Sequence, residues 1–270
     1  MAEEQIMKYV RFKNELHPEG AFGKIDGNNV RILKGCIFEN SLEETGETVA
    51  LDSIKSFLPP VNPPNIIAIG ANYIDHCKEC AAEPPKNPLV FIKTTNALAA
   101  HGENIVLPKF TPDEVDYEAE LAVVIGKTAS YVSEKDAMDH VLGFTCANDV
   151  SARDVQLKID SQWARGKSFD TFCPIGPYLV TGIKNPEDLH IRFKLNGKLM
   201  QDQPVKDMIF SISRIISHLS NGITLYPGTV ILTGTPCGVG MAQNPPRYLR
   251  PGDVAEVEID EIGTLSNKVV

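Results

Sequence analysis

Hydrophobic and polar residues alternate or cluster in short stretches along most of the chain, a pattern that predicts strands more often than helices. Short apolar or alternating runs bounded by turn-forming residues are typical of strands. They occur at 8–12, 30–33, 65–70, 89–93, 115–126, 142–150, 230–232 and 254–259. Asn196-Gly197 interrupts a further alternating stretch at 191–201, which predicts a hairpin with a two-residue turn. The predicted class is therefore mixed and β-dominated.

Three segments predict short helices instead. One starts at about Tyr73, directly after the run at 65–70. Ser133 and Asp136 have the capping-box spacing that opens a helix, which we expect to extend to about residue 141. The segment 209–219 carries apolar residues at helical spacing and ends near Gly222, and glycine favours a helix C-terminus.

A proline-rich segment marks the predicted domain boundary. Pro59-Pro60-Val61-Asn62-Pro63-Pro64 contains four prolines in six residues. Such a segment fits neither a helix interior nor a central strand. We therefore predict a small N-terminal domain at 1–60 and a large catalytic domain at 61–270.

Composition restricts the partners. The 270 residues carry a formal net charge of −9 and are 43% hydrophobic. Nucleic acid is not an expected partner, because phosphate binding needs clustered lysine and arginine. The N-terminus lacks the basic and apolar pattern of a secretory signal, and no run approaches the ~18 apolar residues of a membrane span. We expect a cytoplasmic protein without a membrane partner, whose six cysteines are free thiols.

Acidic residues at alternating positions suggest a metal site. Asp116, Glu118 and Glu120 would share one face of a strand that continues into Leu-Ala-Val-Val-Ile. A solvated strand face is the ordinary interpretation of such spacing. Carboxylates that enter a buried strand need a cationic partner, however, and oxygen ligands suit Mg²⁺. Asp149 follows another apolar run and by itself is equally consistent with a turn cap or a ligand.

Two further patterns concern catalysis. His76 and Glu79 are three residues apart, so on a helix they share a face and can form a hydrogen-bonded general base. A surface ion pair is the alternative. Cys77 and Cys80 form a lone C-x-x-C, for which free thiols are expected because no second ligand pair is visible. Gly166-Lys167-Ser168 is not a P-loop, since that motif needs glycine at position 161, which is serine.

Five ordered segments resemble the fumarylacetoacetate hydrolase superfamily, in particular its bacterial acylpyruvate hydrolase-like and 2-hydroxyhepta-2,4-diene-1,7-dioate isomerase-like members. The segments are IGANYIDH (69–76), DYEAELAVVIG (116–126), NDVSARDVQ (148–156), GKSFD (166–170) and ILTGTPCGVG (231–240). Their order and spacing fit the family over about residues 64–262. The resemblance implies a fumarylacetoacetase C-terminal-like fold, which is a β-sheet roll with short helices. It also implies a homodimer that pairs through the large domain.

The resemblance also implies site residues. Glu118, Glu120 and Asp149 match metal ligands that hold Mg²⁺ or Mn²⁺, whereas Asp116 matches no ligand. Lys167 matches a lysine that contacts the reacting substrate, and His76 with Glu79 matches a dyad on a mobile lid that polarises a water. Further positions match residues that line the substrate pocket: Lys93, Arg153, Gln156 and Thr235.

The resemblance implies chemistry on a small oxo-acid. We predict a hydrolase that cleaves a C–C bond in a 2,4-dioxo acid such as an acylpyruvate. The alternatives are an oxaloacetate-type decarboxylase and an isomerase or hydratase that uses the same metal-bound enolate. An alternative of another class is a non-catalytic small-molecule-binding protein. Some relatives carry arginine where this chain has Ala71, which weighs against a small dicarboxylate substrate.

Overall fold

Strands dominate the architecture, which confirms the predicted fold class. The computed structural model describes residues 5–39 and 41–270. The N-terminal part contributes five strands: β1 (Met7–Lys13), β2 (Ala21–Asp26), β3 (Asn29–Lys34), β4 (Glu43–Ala50) and β5 (Ser56–Leu58).

The remaining strands belong to the larger part of the chain. They are β6 (Ile66–Gly70), β7 (Leu89–Lys93), β8 (Leu98–Ala99), β9 (Val115–Asp116), β10 (Ala119–Ile125), β11 (Val141–Asn148), β12 (Ser151–Ala152), β13 (Cys173–Thr181), β14 (His190–Leu195), β15 (Lys198–Pro204), β16 (Val230–Leu232), β17 (Val254–Ile259) and β18 (Gly263–Lys268). Every strand predicted from the hydrophobic pattern is therefore present, and several others were not predicted.

The helices are short. Two are α-helices, α1 (Ile74–Glu79) and α2 (Ile212–Ser220). The others are 3-10 helices at Ile37–Glu39, Leu51–Ser53, Thr95–Ala97, Glu134–His140, Pro186–Asp188, Val205–Asp207 and Gly240–Ala242, and a π-helical turn at Val155–Ile159. Within the described residues, no helix has both the length and the apolar character needed to cross a membrane.

Most strands form one large sheet. Its strand order is β4-β3-β2-β1-β13-β11-β10-β16-β6-β7, with β5 paired to β1 and β8 paired to β13. A second sheet has the order β15-β14-β17-β18. The two sheets share one hydrophobic core, in which the rings of Tyr117 and Phe193 stack at a centroid distance of 4.1 Å. Within this core the start of β10 pairs with the end of β11.

The N-terminal strands extend the large sheet. Strand β1 pairs antiparallel with β13, with Met7 opposite Thr181. The strands nevertheless enclose a small core of their own, made of Val10, Phe12, Ala21, Val30, Ile32 and Ile54. Residues 59–65 contain no helix or strand, in agreement with the proline-rich linker. The division into domains 1–60 and 61–270 stays a prediction, and residues 1–4 and 40 lie outside the described residues.

The sequence predicts the hairpin between β14 and β15 and the position of α2 correctly, because turns and helix ends accept few residue types. Asn196 and Gly197 connect β14 to β15 with φ of 53° and 78°, the left-handed conformations that a type I′ hairpin requires. Helix α2 begins after Ser211, whose hydroxyl accepts a hydrogen bond from the N–H of Arg214. Such an N-cap satisfies one of the free N–H groups at a helix start.

Two predicted elements differ in detail. The run at 115–126 is interrupted, because Tyr117 and Glu118 lie between β9 and β10. The helix expected after Ser133 is a 3-10 helix at Glu134–His140. Its predicted capping box does not form, since the Ser133 hydroxyl donates to the Asp136 carboxylate instead of accepting from a backbone N–H.

Candidate active site

Three buried carboxylates meet where two neighbouring central strands of the large sheet begin and end. Glu118 and Glu120 flank the first residue of β10, and Asp149 follows the last residue of β11. These two strands are hydrogen-bonded neighbours with Ala119 opposite Asn148. Oxygen atoms of the three carboxylates lie within 4.8 Å of one another. The pairing of β10 with β11 therefore brings together the three predicted metal ligands.

Three cationic side chains surround this acidic triad. Lys167 Nζ donates to Glu118 Oε2 at 2.6 Å and to Asp149 Oδ2 at 2.7 Å. Lys93 Nζ lies 2.5 Å from Asp149 Oδ1, and Arg153 Nη1 lies 2.7 Å from Glu118 Oε1. Burial raises the pKa of Glu118, but the charges of Lys167 and Arg153 outweigh it and lower that pKa to about 2. Glu118 is therefore ionised.

Glu120 has a different environment. Its Oε2 accepts a hydrogen bond from the N–H of Gly234 at 2.6 Å, and no lysine, arginine or histidine of the described residues pairs with it. Burial, followed by the charges of Asp149 and Glu118, raises the pKa of Glu120 well above its ordinary value. Lys93, Arg153 and Lys167 thus supply three positive charges to four buried carboxylates, those of the triad and Asp116, so the cluster lacks one positive charge. A cluster of oxygen donors with this deficit fits a hard divalent cation such as Mg²⁺ or Mn²⁺.

Asp116 supports the triad from outside it. Its carboxylate accepts hydrogen bonds from the N–H groups of Tyr117, Gly240 and Met241. It also accepts from Arg153 Nε at 2.9 Å. A Cβ atom at Gly240 would lie 2.4 Å from Asp116 Oδ1, so a side chain there would displace the carboxylate. Asp116 therefore orients Arg153 and the loop that contains Gly240 and Met241.

Arg153 keeps one donor unused. Its Nε and Nη1 are occupied by Asp116, Glu118 and Gln156. Its buried Nη2 has no hydrogen-bond partner among the described residues. A buried donor without a partner costs roughly 1–3 kcal/mol. An anionic oxygen of a substrate would satisfy it.

The predicted dyad forms on α1. His76 Nδ1 lies 2.7 Å from Glu79 Oε1, and the N–H of Gly238 donates to Glu79 Oε2 at 2.8 Å. Burial lowers the pKa of His76, but hydrogen bonds with Cys80 and Glu79 and the charge of Glu118 outweigh burial and raise it to about 9. Gly234 donates to Glu120 and Gly238 donates to Glu79, so one loop after β16 contacts both the triad and the dyad.

The predicted substrate-binding residues lie around the same cluster. Gln156 Oε1 accepts from Arg153 Nη1 at 3.0 Å, and Lys93 and Arg153 contact the triad directly. Thr235 is different, because its hydroxyl donates to the carbonyl of Ala119 and accepts from Gln201 Nε2. Its hydroxyl hydrogen is therefore already used within the protein. Substrate contacts by these four residues stay predictions.

Several supporting residues were missed. Gln201 on β15 accepts from the N–H of Ala119 and donates to Thr235 and to the carbonyl of Pro236. Asn148 Oδ1 accepts from the N–H of Glu118 at 3.0 Å. Asn72 donates to the carbonyls of Phe210 and Thr233. Asn72 and Asn148 lie inside the recognised segments, which was an available signal, whereas no local pattern distinguishes Gln201.

Known proteins are similar to this chain in sequence and in fold. The model of the fumarylacetoacetate hydrolase C-terminal family matches residues 65–270, and an Rv2993c-like N-terminal family matches residues 7–60. The Xenopus laevis protein named oxaloacetate tautomerase fahd2, mitochondrial, is 46% identical over 235 residues, which cover 86% of this chain and 73% of that protein.

Solved structures give the same result. A Mycobacterium marinum structure described as 2-hydroxyhepta-2,4-diene-1,7-dioate isomerase is 35% identical with a TM-score of 0.86, covering 98% of both chains. A Mycobacterium smegmatis structure described as 5-carboxymethyl-2-hydroxymuconate delta-isomerase is also 35% identical, with a TM-score of 0.87, covering 98% of this chain and 99% of the other. By sequence and by fold, this chain belongs to the fumarylacetoacetate hydrolase family.

Proposed function

We propose that the protein is a divalent-metal-dependent enzyme that moves a proton at the carbon next to the 2-oxo group of a small oxo-acid. The observation that carries this proposal is the His76–Glu79 hydrogen bond beside the triad of Glu118, Glu120 and Asp149. The names of the relatives support it, since an oxaloacetate tautomerase and the two isomerases would each carry out such a proton transfer. A divalent ion held by the triad would supply Lewis-acid polarisation of the 2-oxo group.

The dyad would hold and move the proton. Nδ1–H of His76 donates to Glu79 Oε1, so Nε2 carries the lone pair in the neutral ring. Nε2 would take a proton from the substrate carbon and return it at another position. Gly238 would keep Glu79 in place through its N–H, so the imidazole does not have to reorient during the transfer.

Two cations would bind and stabilise the anionic substrate. Lys167 is buried and bridges Glu118 and Asp149, so its charge lies next to the site of the developing negative charge. Preorganised charge of this kind is a large contributor to catalysis. Arg153 would use its unpartnered Nη2 for the substrate carboxylate. The overall negative charge of the chain is no obstacle, because a divalent ion held by the triad would outweigh it locally.

The second candidate is the predicted hydrolysis of a C–C bond in a 2,4-dioxo acid. The side chains of His76 and Glu79 are 12% and 18% exposed, which lets water reach the dyad. His76 would then deprotonate a water that attacks the distal carbonyl. Decarboxylation of oxaloacetate would need Lys167 and no attacking water.

A binding protein without activity would have no use for the oriented dyad.

A substrate screen separates these candidates. The protein would be mixed with Mg²⁺ and with oxaloacetate, acylpyruvates or sugar-derived diketo acids, and the enol or diketo absorbance followed. Product analysis then assigns the reaction. Tautomerisation leaves the molecular formula unchanged, hydrolysis yields pyruvate and a second acid, and decarboxylation yields pyruvate and CO₂. We expect enol–keto conversion of oxaloacetate, because a relative that is 46% identical is named an oxaloacetate tautomerase, and this outweighs the argument from Ala71. If none of these compounds is turned over, the proposal is wrong.

We further propose a cytoplasmic homodimer with no nucleic-acid partner. Strand β7 is the last strand of the large sheet, and its Leu89 and Ile92 are 40% and 55% exposed. Exposed apolar residues on an edge strand favour association. Light scattering at micromolar concentration should give twice the 29.6 kDa of one chain; a mass of 29.6 kDa would exclude the dimer.

A further inference from the structure

The end of α1 places three different metal-binding groups together. The imidazole of His76, the carboxylate of Glu79 and the thiol of Cys80 offer ligand atoms that lie within 4.8 Å of one another. Cys80 Sγ is 3.8 Å from His76 Nδ1 and 4.0 Å from Nε2. All three residues are only partly buried, so an ion from solvent can reach them. The proposed catalytic dyad is thus part of a three-donor cluster.

The cluster is not the C-x-x-C pair of the sequence. Cys77 is buried, with 1% exposure, and its Sγ donates to the carbonyl of Ala71 at 3.5 Å. Cys80 instead faces His76, one helical turn earlier. The spacing that matters is His-x-x-Glu-Cys, in which positions i, i+3 and i+4 share one helix face.

We propose that His76, Glu79 and Cys80 bind Zn²⁺ and that this binding switches the enzyme off. Zinc takes Cys sulfur at ~2.3 Å and His nitrogen at ~2.0 Å in tetrahedral geometry, which puts neighbouring ligand atoms roughly 3.3–3.6 Å apart. The Sγ–Nδ1 distance of 3.8 Å is close to that spacing. Three protein ligands leave a fourth position for water.

Glu79 Oε1 can give up its hydrogen bond with His76 and bind an ion while Oε2 stays bonded to Gly238. Its Oε2 is held by the N–H of Gly238 at 2.8 Å, whereas Oε1 contacts only His76 Nδ1 among the described residues. Zinc binding at Nδ1, Oε1 and Sγ requires the neutral imidazole with its proton on Nε2 and the Cys80 thiolate. The thiol proton, and the second ring proton when the imidazole is charged, leave to solvent, and no oxidation state changes. The hydrogen bond that orients the imidazole is then lost, and His76 is fixed to the ion.

The donor chemistry separates this site from the acidic triad. The triad of Glu118, Glu120 and Asp149 offers only carboxylate oxygens, which suit Mg²⁺ and Mn²⁺. The second site offers nitrogen, oxygen and sulfur, and a thiolate selects a softer ion such as zinc over magnesium. Magnesium would therefore fill the triad while zinc fills the cluster on α1.

The binding test uses Co²⁺ as a spectroscopic probe on the full-length protein saturated with Mg²⁺. Cobalt bound to a thiolate gives a charge-transfer absorption that cobalt bound to carboxylates lacks. We expect this band in the wild type and its loss in Cys80→Ser and in His76→Ala. The matched controls Cys237→Ser, near Glu79, and Cys36→Ser, in the N-terminal strand region, should keep it. A band that persists in Cys80→Ser, or that disappears in either control, overturns the proposal.

The inhibition test uses Zn²⁺ with any substrate that the protein turns over in Mg²⁺. Zinc should inhibit the wild type reversibly, with recovery after chelation and renewed Mg²⁺. Losing an outer partner of a metal ligand costs roughly 10–100-fold in affinity, and losing a ligand costs no less. Cys80→Ser should therefore need at least roughly tenfold more zinc, measured against its own uninhibited rate. Equal inhibition of both proteins overturns the switch. The cobalt experiment requires no turnover, so its result is independent of the proposed function.

Discussion

Glu118 and Glu120 lie two residues apart at the start of β10, yet their surroundings shift their pKa values in opposite directions. Burial acts on both, but Glu118 contacts Lys167 and Arg153 and its pKa falls to about 2. Among the described residues Glu120 accepts a hydrogen bond from the N–H of Gly234, and burial with the charges of Asp149 and Glu118 outweighs the charge of Lys167, so its pKa rises well above the ordinary range. One carboxylate therefore stabilises the metal-free protein, and the other destabilises it at neutral pH.

Opposite effects on stability follow for the two amide variants. In chelator, Glu118→Gln should lower the free energy of unfolding by about 3–5 kcal/mol, because it leaves buried cations uncompensated. Glu120→Gln should raise it by about 1–3 kcal/mol, because it removes a buried charge that its neighbours oppose. Thermal unfolding in chelator measures both, and added Mg²⁺ should stabilise the wild type more than either variant. Shifts of the same sign would contradict the charge assignment.

The pH dependence of these effects has a defined sign. A lowered pKa means that the stabilisation from Glu118 is present above the ordinary glutamate pKa and disappears as pH falls through about 2. The raised pKa of Glu120 adds a cost that grows as pH rises above the ordinary value. The advantage of Glu120→Gln over the wild type in chelator should therefore shrink as the pH is lowered toward 4.

A second prediction separates the base from the charge stabilisation. His76→Ala should lower hydrolysis of an acylpyruvate by roughly 10²–10⁴-fold, the usual effect of losing a general base. Decarboxylation of oxaloacetate, if present, should fall less, because it needs no attacking water. Lys167→Ala should damage both reactions, since it removes charge next to the reacting group. Steady-state rates for the three proteins test this, and wild-type hydrolysis by His76→Ala would show that His76 is not the base.

A third prediction concerns the pH profile. His76 must be neutral to accept a proton, and its pKa is raised to about 9. The value of kcat/KM should therefore increase with pH up to about 9. Glu79→Gln removes one of the hydrogen bonds that raise the pKa of His76. The pH at which kcat/KM stops increasing should therefore move toward the ordinary histidine pKa of about 6.5. If the increase of kcat/KM with pH is unchanged in Glu79→Gln, the titrating group is not His76.

The sequence predicted elements well where local chemistry is sufficient. The hairpin at Asn196-Gly197 depends on residue types at fixed spacing, whereas the ligand set of Glu118, Glu120 and Asp149 was implied by the family resemblance. Strand β13 was not predicted, and its Pro174 and Pro177 are unusual for a central strand. It nevertheless lies between β1 and β11, with a shifted register near Cys146. Pairing with strands that are distant in sequence stabilises β13, and the local pattern of residues does not indicate such pairing.

The same limit applies to the site. The spacing of Glu118 and Glu120 suggested a shared strand face with Asp116, whereas the chain leaves strand geometry at Tyr117 and Glu118, and Asp116 binds Arg153 instead. The role of Cys80 also depends on its position beside His76, which the C-x-x-C spacing concealed. Contacts between distant segments, such as Gly238 with Glu79, become visible only in three dimensions.

The most direct test of a metal-dependent enzyme is the rate of oxaloacetate enol–keto conversion before and after removal of divalent ions. The protein would be treated with chelator, exchanged into metal-free buffer, and assayed with and without Mg²⁺ or Mn²⁺, with Glu120→Gln in parallel. We predict that chelation abolishes catalysis, that either ion restores it in the wild type, and that Glu120→Gln stays inactive while remaining folded. Full turnover by the metal-free wild type would contradict the account.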